Sequence, residues 1–245
     1  MRGAVLLYED RYMLVTRVRA LWSALSATTV TFPDEGQVEV VVSAASLMCP
    51  PGWCGLVTVN GAAVVTVPHE RSRATVVRGL AGLSMDQLTD PEVLKRHLTV
   101  EEWLGPAALA YLAGEDFIPV PGAVDVITAD SDELATFLAS CPGHEVEESG
   151  IGDVTSPVFV VREKGVVVAA CGYRIWLTQA AHLGILTSPE CRGRGLARQA
   201  ATAAVAEVLA AGLLPQWRAR MGPSRRVAQS LGFTEMGRQL SFWLR

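Results

Sequence analysis

Pro189-Glu190-Cys191-Arg192-Gly193-Arg194-Gly195-Leu196-Ala197 stands between an apolar stretch, Ala181 to Thr187, and an alanine-rich run that continues to Ala211. The apolar stretch reads as a strand and the alanine-rich run as a helix from about Gly193, with Gly212 where a C-terminal cap belongs. A strand that enters a glycine turn and then a helix makes an anion site, because the first-turn N–H groups have no partner within the helix. Gly193 and Gly195 let the backbone approach a phosphate where a Cβ would intrude, and small Ala197 fits the same need. Arg192 and Arg194 add charge-assisted donors. The spacing is not Gly-x-Gly-x-x-Gly and no Gly-Lys-Ser/Thr occurs, so dinucleotide and nucleotide-triphosphate loops are poorly supported.

Working outward, Phe117 to Gly122 alternates Pro119 and Pro121 with Ile118 and Val120, an extended connector that divides the chain into units 1–118 and 119–245. Beyond it, Ala123 to Ile127 suggests a strand, and Asp130 with Glu133 opens an amphipathic helix carrying Leu134, Phe137 and Leu138. Gly143 to Asp153 gives no clear reading. Pro157 to Arg162 and Val166 to Tyr173 flank Glu163-Lys164-Gly165 as a hairpin. After the anion loop and its helix come a strand near Gln216 to Arg220, a helix from Pro223 to Gly232 and a strand near Arg238 to Leu244. The order is strand, helix, three strands, helix, strand, helix, strand.

Arg192-x-x-Gly195-x-Ala197, preceded by a strand and Pro189, resembles the pyrophosphate motif Gln/Arg-x-x-Gly-x-Gly/Ala of the GNAT N-acetyltransferases. Ser224-Arg225-Arg226-Val227-Ala228 leading to Leu231-Gly232-Phe233 resembles the second helical motif of that superfamily, and the element order is that of its fold. The resemblance implies an α/β (α+β) fold: a mixed, mostly antiparallel sheet flanked by helices. It further implies direct transfer of an acetyl group from acetyl-CoA, as co-substrate, to a primary amine in a ternary complex. Arg192, Gly193, Arg194, Gly195, Leu196, Ala197 and Ser224 would hold the cofactor. Ile185, Leu186 and Thr187, on a strand splayed from its neighbour, would take the pantetheine arm, and a backbone N–H there would stabilise the oxyanion.

The family's Asn and Tyr at the last helical motif fall here on Met221 and Ala228, which can do neither job. A general base is open: His182 on the strand before the loop has a suitable ordinary pKa, while Glu148, Glu163 and Glu190 are further candidates. Strand alternation is taken to turn His182 away from Gly184, where the family often places a catalytic carboxylate. The missing residues keep a second class of function in view, a non-catalytic acyl-CoA-binding sensor.

The first half carries an echo of the second. Asn60-Gly61 marks a hairpin that runs into Pro68-His69-Glu70-Arg71-Ser72-Arg73-Ala74, which aligns with the anion loop at one offset, 121 residues, from Pro68 to Pro189 and from Arg71 to Arg192. Gly105-Pro106 before Ala107 to Leu112 echoes Gly222-Pro223 before its helix. The expectation is a degenerate GNAT-like unit in tandem, with Ser72 and Ala74 in place of the two loop glycines.

Composition bounds the partners. The chain has 245 residues, half of them apolar, enough for a sizeable core, and no run is long and apolar enough for a membrane span. The apolar start Met1 to Leu7 is cut short by Glu9, Asp10 and Arg11, so a soluble, cytoplasmic protein is expected. Five unpaired cysteines and four scattered histidines offer no metal site. Residues 192–245 hold nine arginines against two carboxylates, and residues 121–191 hold three cations against ten carboxylates. That split suits an anionic cofactor beside a cationic small-molecule or peptide amine acceptor recognised around Glu145, Glu147 and Glu148. Without an aromatic platform in the basic stretch, nucleic acid is not expected as a partner.

Overall fold

The computed structural model describes residues 2–220 and 222–245, and the side chains of residues 2–10 and of Met221 lie outside the described set. In chain order the elements are α1 (Arg2–Leu25), β1 (Val38–Val42), β2 (Cys54–Val59), β3 (Ala62–Val67), α2 (Glu70–Leu80), α3 (Pro91–Leu94), β4 (Val100–Tyr111), β5 (Asp125–Ile127), α4 (Asp132–Ala139) and α5 (Gly143–Ser149). They continue with β6 (Val158–Glu163), β7 (Val166–Trp176), β8 (Ala180–Thr187), α6 (Leu196–Ala210), β9 (Leu214–Ala219), α7 (Gly222–Ser230) and β10 (Thr234–Leu244). Among the described residues, no helix is long and apolar enough to cross a membrane.

The chain forms two compact units, one of residues 1–110, 219–221 and 235–245, the other of residues 111–218 and 222–234. They are cut differently from a linear boundary at 118/119. The break falls at Ala110/Tyr111, within β4, and the last strand belongs to the first unit because β10 pairs antiparallel with β2, from Gly237 opposite Val59 to Phe242 opposite Cys54.

In the first unit the strands run β1-β3-β2-β10-β4. Asn60 and Gly61, both with left-handed φ, close the β2–β3 hairpin as their sequence demands. β2 and β3 are buried along their whole length, and Leu56, Val65, Val76, Leu80, Leu240 and Phe242 meet in one apolar core. Ala107–Tyr111 is strand, not the expected helix: all five residues are buried, and a short, fully apolar run has no periodicity to separate the two forms. The parallel neighbour of β3 is β1, which precedes it in the chain.

In the second unit the strands run β9-β8-β7-β6-β5, antiparallel from β5 to β8 and parallel between β8 and β9. Here the parallel neighbour of the strand before the helix follows it, so the strand order of the first unit does not repeat that of the second. The helix α4 is capped by Ser131, one residue past Asp130, and the acidic run without a clear reading contains α5. Leu134 and Phe137 of α4 pack with Ile151, Val154, Ala170 and Leu186 on one sheet face. The opposite face carries α6, where the Tyr173 hydroxyl donates to Glu207 Oε1 at 2.7 Å. Burial first, and then that carboxylate, push the Tyr173 phenol up to about 12.

Candidate active site

The strand β8 delivers the chain to the anion loop and also breaks from its neighbour on the way. Its pairs with β9 are Ala180–Leu214, Ala181–Pro215 and His182–Gln216. Both strands then run on, to Thr187 and to Ala219, with no further pair between them among the described residues. The far edge of β8 stays paired with β7 as far as Thr187, opposite Ala169. The splay implied for Ile185, Leu186 and Thr187 is therefore present as a parting of parallel strands beyond His182.

After Thr187 the chain turns through Pro189–Cys191 as one 3-10 turn, and α6 starts at Leu196 rather than at Gly193. The delay has a local cause. Gly193 and Gly195 have φ of +75° and +80°, which a right-handed helix excludes and L side chains rarely adopt. A Cβ built on either would meet nothing within 4 Å, so the space over both glycines is open. No side chain caps α6, and the Thr187 hydroxyl and Arg198 Nε are buried without a hydrogen-bond partner. A bare helix start, an open double-glycine turn and two orphaned polar atoms fit a phosphate-bearing ligand. Arg198, which donates through Nη2 to Ser230 O at 3.0 Å, escaped sequence reasoning because it lies outside the motif.

Both loop arginines are engaged by the acidic segment. Arg192 makes a forked pair with Glu145, Nη1 to Oε1 at 3.0 Å and Nη2 to Oε2, and its Nε donates to Thr187 O at 3.3 Å. Arg194 forks onto Glu163 at 3.0 and 2.5 Å. The Arg192 hydrogen bond keeps the Glu145 carboxyl below its ordinary range. The opposed charges of residues 121–191 and 192–245 thus meet each other directly at the loop, with neither arginine standing free for an anion. Exposed pairs of this kind are each worth about 0–1 kcal/mol.

The surroundings of His182 weigh against the role of general base expected for it. Its Nδ1 lies 2.8 Å from Gln216 Oε1, so Nδ1 carries the proton, and Gln216 Nε2 donates in turn to the Tyr111 hydroxyl at 3.5 Å. The ring stacks on Trp176 with centroids 4.6 Å apart. Burial pushes its pKa down to about 3, with Arg218 and Arg174 acting in the same direction and the Gln216 hydrogen bond opposing them. His182 and Gly184 are two apart on one unbroken strand, pairing with Arg174 and Gly172, and so share a face rather than opposing one another.

That face explains why a carboxylate is missing at Gly184. A Cβ there would sit 2.7 Å from Gly150 O, and one on its cross-strand partner Gly172 would sit 2.9 Å from Val154 Cγ2. The two bare positions admit the chain between α5 and β6. Ser224 stands at the start of α7, where its hydroxyl accepts from Trp217 Nε1 at 3.0 Å. Ala228 is buried, and Met221 lies outside the described residues.

Residues 147–238 match the family described as GNAT acetyltransferase. The match covers less than half the chain, begins in α5 and runs through the parted strands, the loop and α7 into β10. It does not reach the hairpin and helix of the first unit, so a tandem N-terminal copy has no support from it. Solved structures similar to this chain include a GNAT-family protein from Novosphingobium aromaticivorans, at 24% identity and TM-score 0.46, over 58% of this chain and 65% of that one. An acetyltransferase of the GNAT family from Colwellia psychrerythraea matches at 16% and TM-score 0.48, over 73% of this chain and 75% of its own. A GCN5-related N-acetyltransferase from Kribbella flavida matches at 17% and TM-score 0.48, over 62% of each chain. The chain spans just under two thirds of the first and third of these. A search of curated proteins gave no match. With every identity below 25% and every TM-score below 0.5, the GNAT reading stands on the family match and on the geometry.

Proposed function

We propose that the second unit binds acetyl-CoA and transfers the acetyl group to a primary amine of a small molecule or peptide. The observation that carries this is the parting of β8 from β9 beyond His182, which leads directly into an uncapped helix start over Gly193 and Gly195. The loop amides of residues 193–197 would take the pyrophosphate, and the Thr187 hydroxyl and Arg198 Nε are the buried groups nearest in sequence to it. The edge of β8 at Ile185–Thr187 would offer backbone groups to the pantetheine arm and to the thioester oxygen.

In the transfer, the lone pair of a neutral amine attacks the thioester carbon, the new N–C bond forms and the C–S bond breaks. The nitrogen loses a proton and the departing thiolate gains one. With the His182 pKa near 3, that residue does not take the first proton at neutral pH, so the amine's proton leaves to water or to a carboxylate. The second unit supplies no Tyr in α7 for the thiolate.

That deficit favours a second reading, an acyl-CoA sensor without turnover. Thiol release from acetyl-CoA over a panel of amines, aminoglycosides and peptide N-termini decides between them. Amine-dependent release above the buffer rate supports the enzyme. Saturable CoA binding with no release for any amine supports the sensor.

A further inference from the structure

At the point where β8 and β9 part, one row of side chains crosses three strands on the sheet face opposite α6. Arg174 on β7 lies opposite His182 on β8, and His182 lies opposite Gln216 on β9. Directly opposed residues of this kind have Cβ atoms about 5 Å apart. Trp176 stacks on His182 from one side of the row, and Arg218, two residues past Gln216, continues the same face of β9. Arg174 is exposed and has no hydrogen bond or ion pair among the described residues. The charged groups acting on His182 are Arg218 and Arg174, and no carboxylate is among them. Meanwhile Glu145, one of the carboxylates around which a cationic acceptor was expected, is held by Arg192.

We propose that the acceptor is an amine that also carries an anionic group, a carboxylate or phosphonate-like oxyanion, bound by Arg174 beside the Trp176–His182 stack. This inference rests on the acetyl-transfer reading and names its substrate class. A guanidinium fork matches a planar carboxylate in two hydrogen bonds. The flat stack gives the acceptor's carbon chain an apolar floor, and His182, protonated on Nδ1, turns an acceptor nitrogen, Nε2, to any N–H that reaches it. Polyamines and aminoglycosides would meet Arg174 as like charge.

The test is acetyl-CoA-dependent thiol release by the full chain with three matched series of two to five carbons: ω-amino acids with ω-aminoalkyl phosphonates, monoalkylamines, and α,ω-diamines. The expected order of KM is anionic lowest, neutral intermediate and dicationic highest, with about five- to tenfold between the ends. Carboxylate and phosphonate arms show which oxyanion fits better. Arg174→Glu is expected to reverse the order while leaving the dissociation constant of CoA unchanged by calorimetry. Diamines preferred over amino acids, an order indifferent to Arg174→Glu, or CoA binding with no member of any series acetylated would overturn the inference. Absence of CoA binding in the unaltered chain would instead overturn the reading beneath it.

Discussion

Two helices in this molecule start at or just beyond a Pro-x-x-Arg-x-Arg pattern that comes after a strand, and only one of them starts bare. In the first unit, α2 begins at Glu70, directly after its N-cap His69. His69 Nδ1 accepts from Ser72 N at 3.4 Å and shares a 2.7 Å hydrogen bond with the Ser72 hydroxyl, while Glu70 puts a carboxylate in the first turn. Arg73 stays exposed, donating from Nε to Val40 O at 2.9 Å and pairing with Glu70 at 3.4 Å. At the offset that aligns the two patterns, Ser72 and Ala74 are helical where Gly193 and Gly195 are left-handed, so α2 starts more than a turn earlier than α6. The comparison teaches that the arginine pattern alone does not make a phosphate site. Two glycines decide whether the chain closes its own helix start or leaves it for a ligand.

The largest expected effect comes from removing that difference. Gly195→Val places a β-branched residue at φ +80° and a methyl-bearing carbon in the open space above the loop. The stabilisation by CoA, about 2.7 kcal/mol at a hundred times its dissociation constant, should vanish from the melting curve. Ala74→Val in α2 should leave it intact, and equal loss from both would remove the distinction between the helices.

The cap gives the converse test. His69→Ala should cost about 1 kcal/mol in denaturant unfolding, the usual scale for a lost N-cap, without changing CoA affinity. If it weakens CoA binding as Gly195→Val does, α2 takes part in the site.

Releasing the loop arginines is a smaller perturbation. Glu145→Gln and Glu163→Gln free Arg192 and Arg194 for the phosphates, and CoA should bind a few-fold more tightly in about 0.05 M salt, with the gain fading by about 0.5 M as charges are screened. Weaker binding in calorimetry would mean that the ion pairs hold the loop in its binding shape.

A separate effect is on pH. With the folded pKa of His182 depressed to about 3 from an ordinary value near 6.5, the unfolded chain binds the extra proton between those values. The stability from neutral His182 is complete above about pH 6.5 and is lost as pH falls towards 3. His182→Gln should flatten the fall in melting temperature between pH 6.5 and pH 4, and an unchanged slope would contradict the depressed pKa.

Much of the second unit was legible because its signals are local. Lys164-Gly165, Gly193, Gly195 and Gly212 are left-handed turns where the sequence puts them, and the apolar runs between fixed the strands. What was hidden depends on partners distant in the chain. Arg192 and Glu145 are 47 residues apart, so the loop charges looked free when each already faced a carboxylate. The pairing of Gly172 with Gly184 was likewise invisible, although two glycines on neighbouring strands were a readable hint of something close above the sheet. The splayed strand came from the family resemblance, and the point of parting at His182–Gln216 from the register alone. In the first unit, continuous burial of Ala107–Tyr111 erased the periodicity that would have marked a strand.

The central claim, that the loop from Arg192 to Ala197 is a pyrophosphate site in use, is tested most directly by calorimetric titration of the full chain with CoA, with dephospho-CoA, which keeps the pyrophosphate but not the 3′-phosphate, and with pantetheine, which lacks the pyrophosphate and the phosphoadenosine. The account predicts one saturable CoA site per chain, weakened by rising salt, and pantetheine binding at least about a hundredfold weaker than either of the others, since charge-assisted hydrogen bonds at about 1.5–3 kcal/mol each are lost together. Equal affinity for dephospho-CoA and pantetheine, or no heat with any of the three at millimolar concentration, would contradict it.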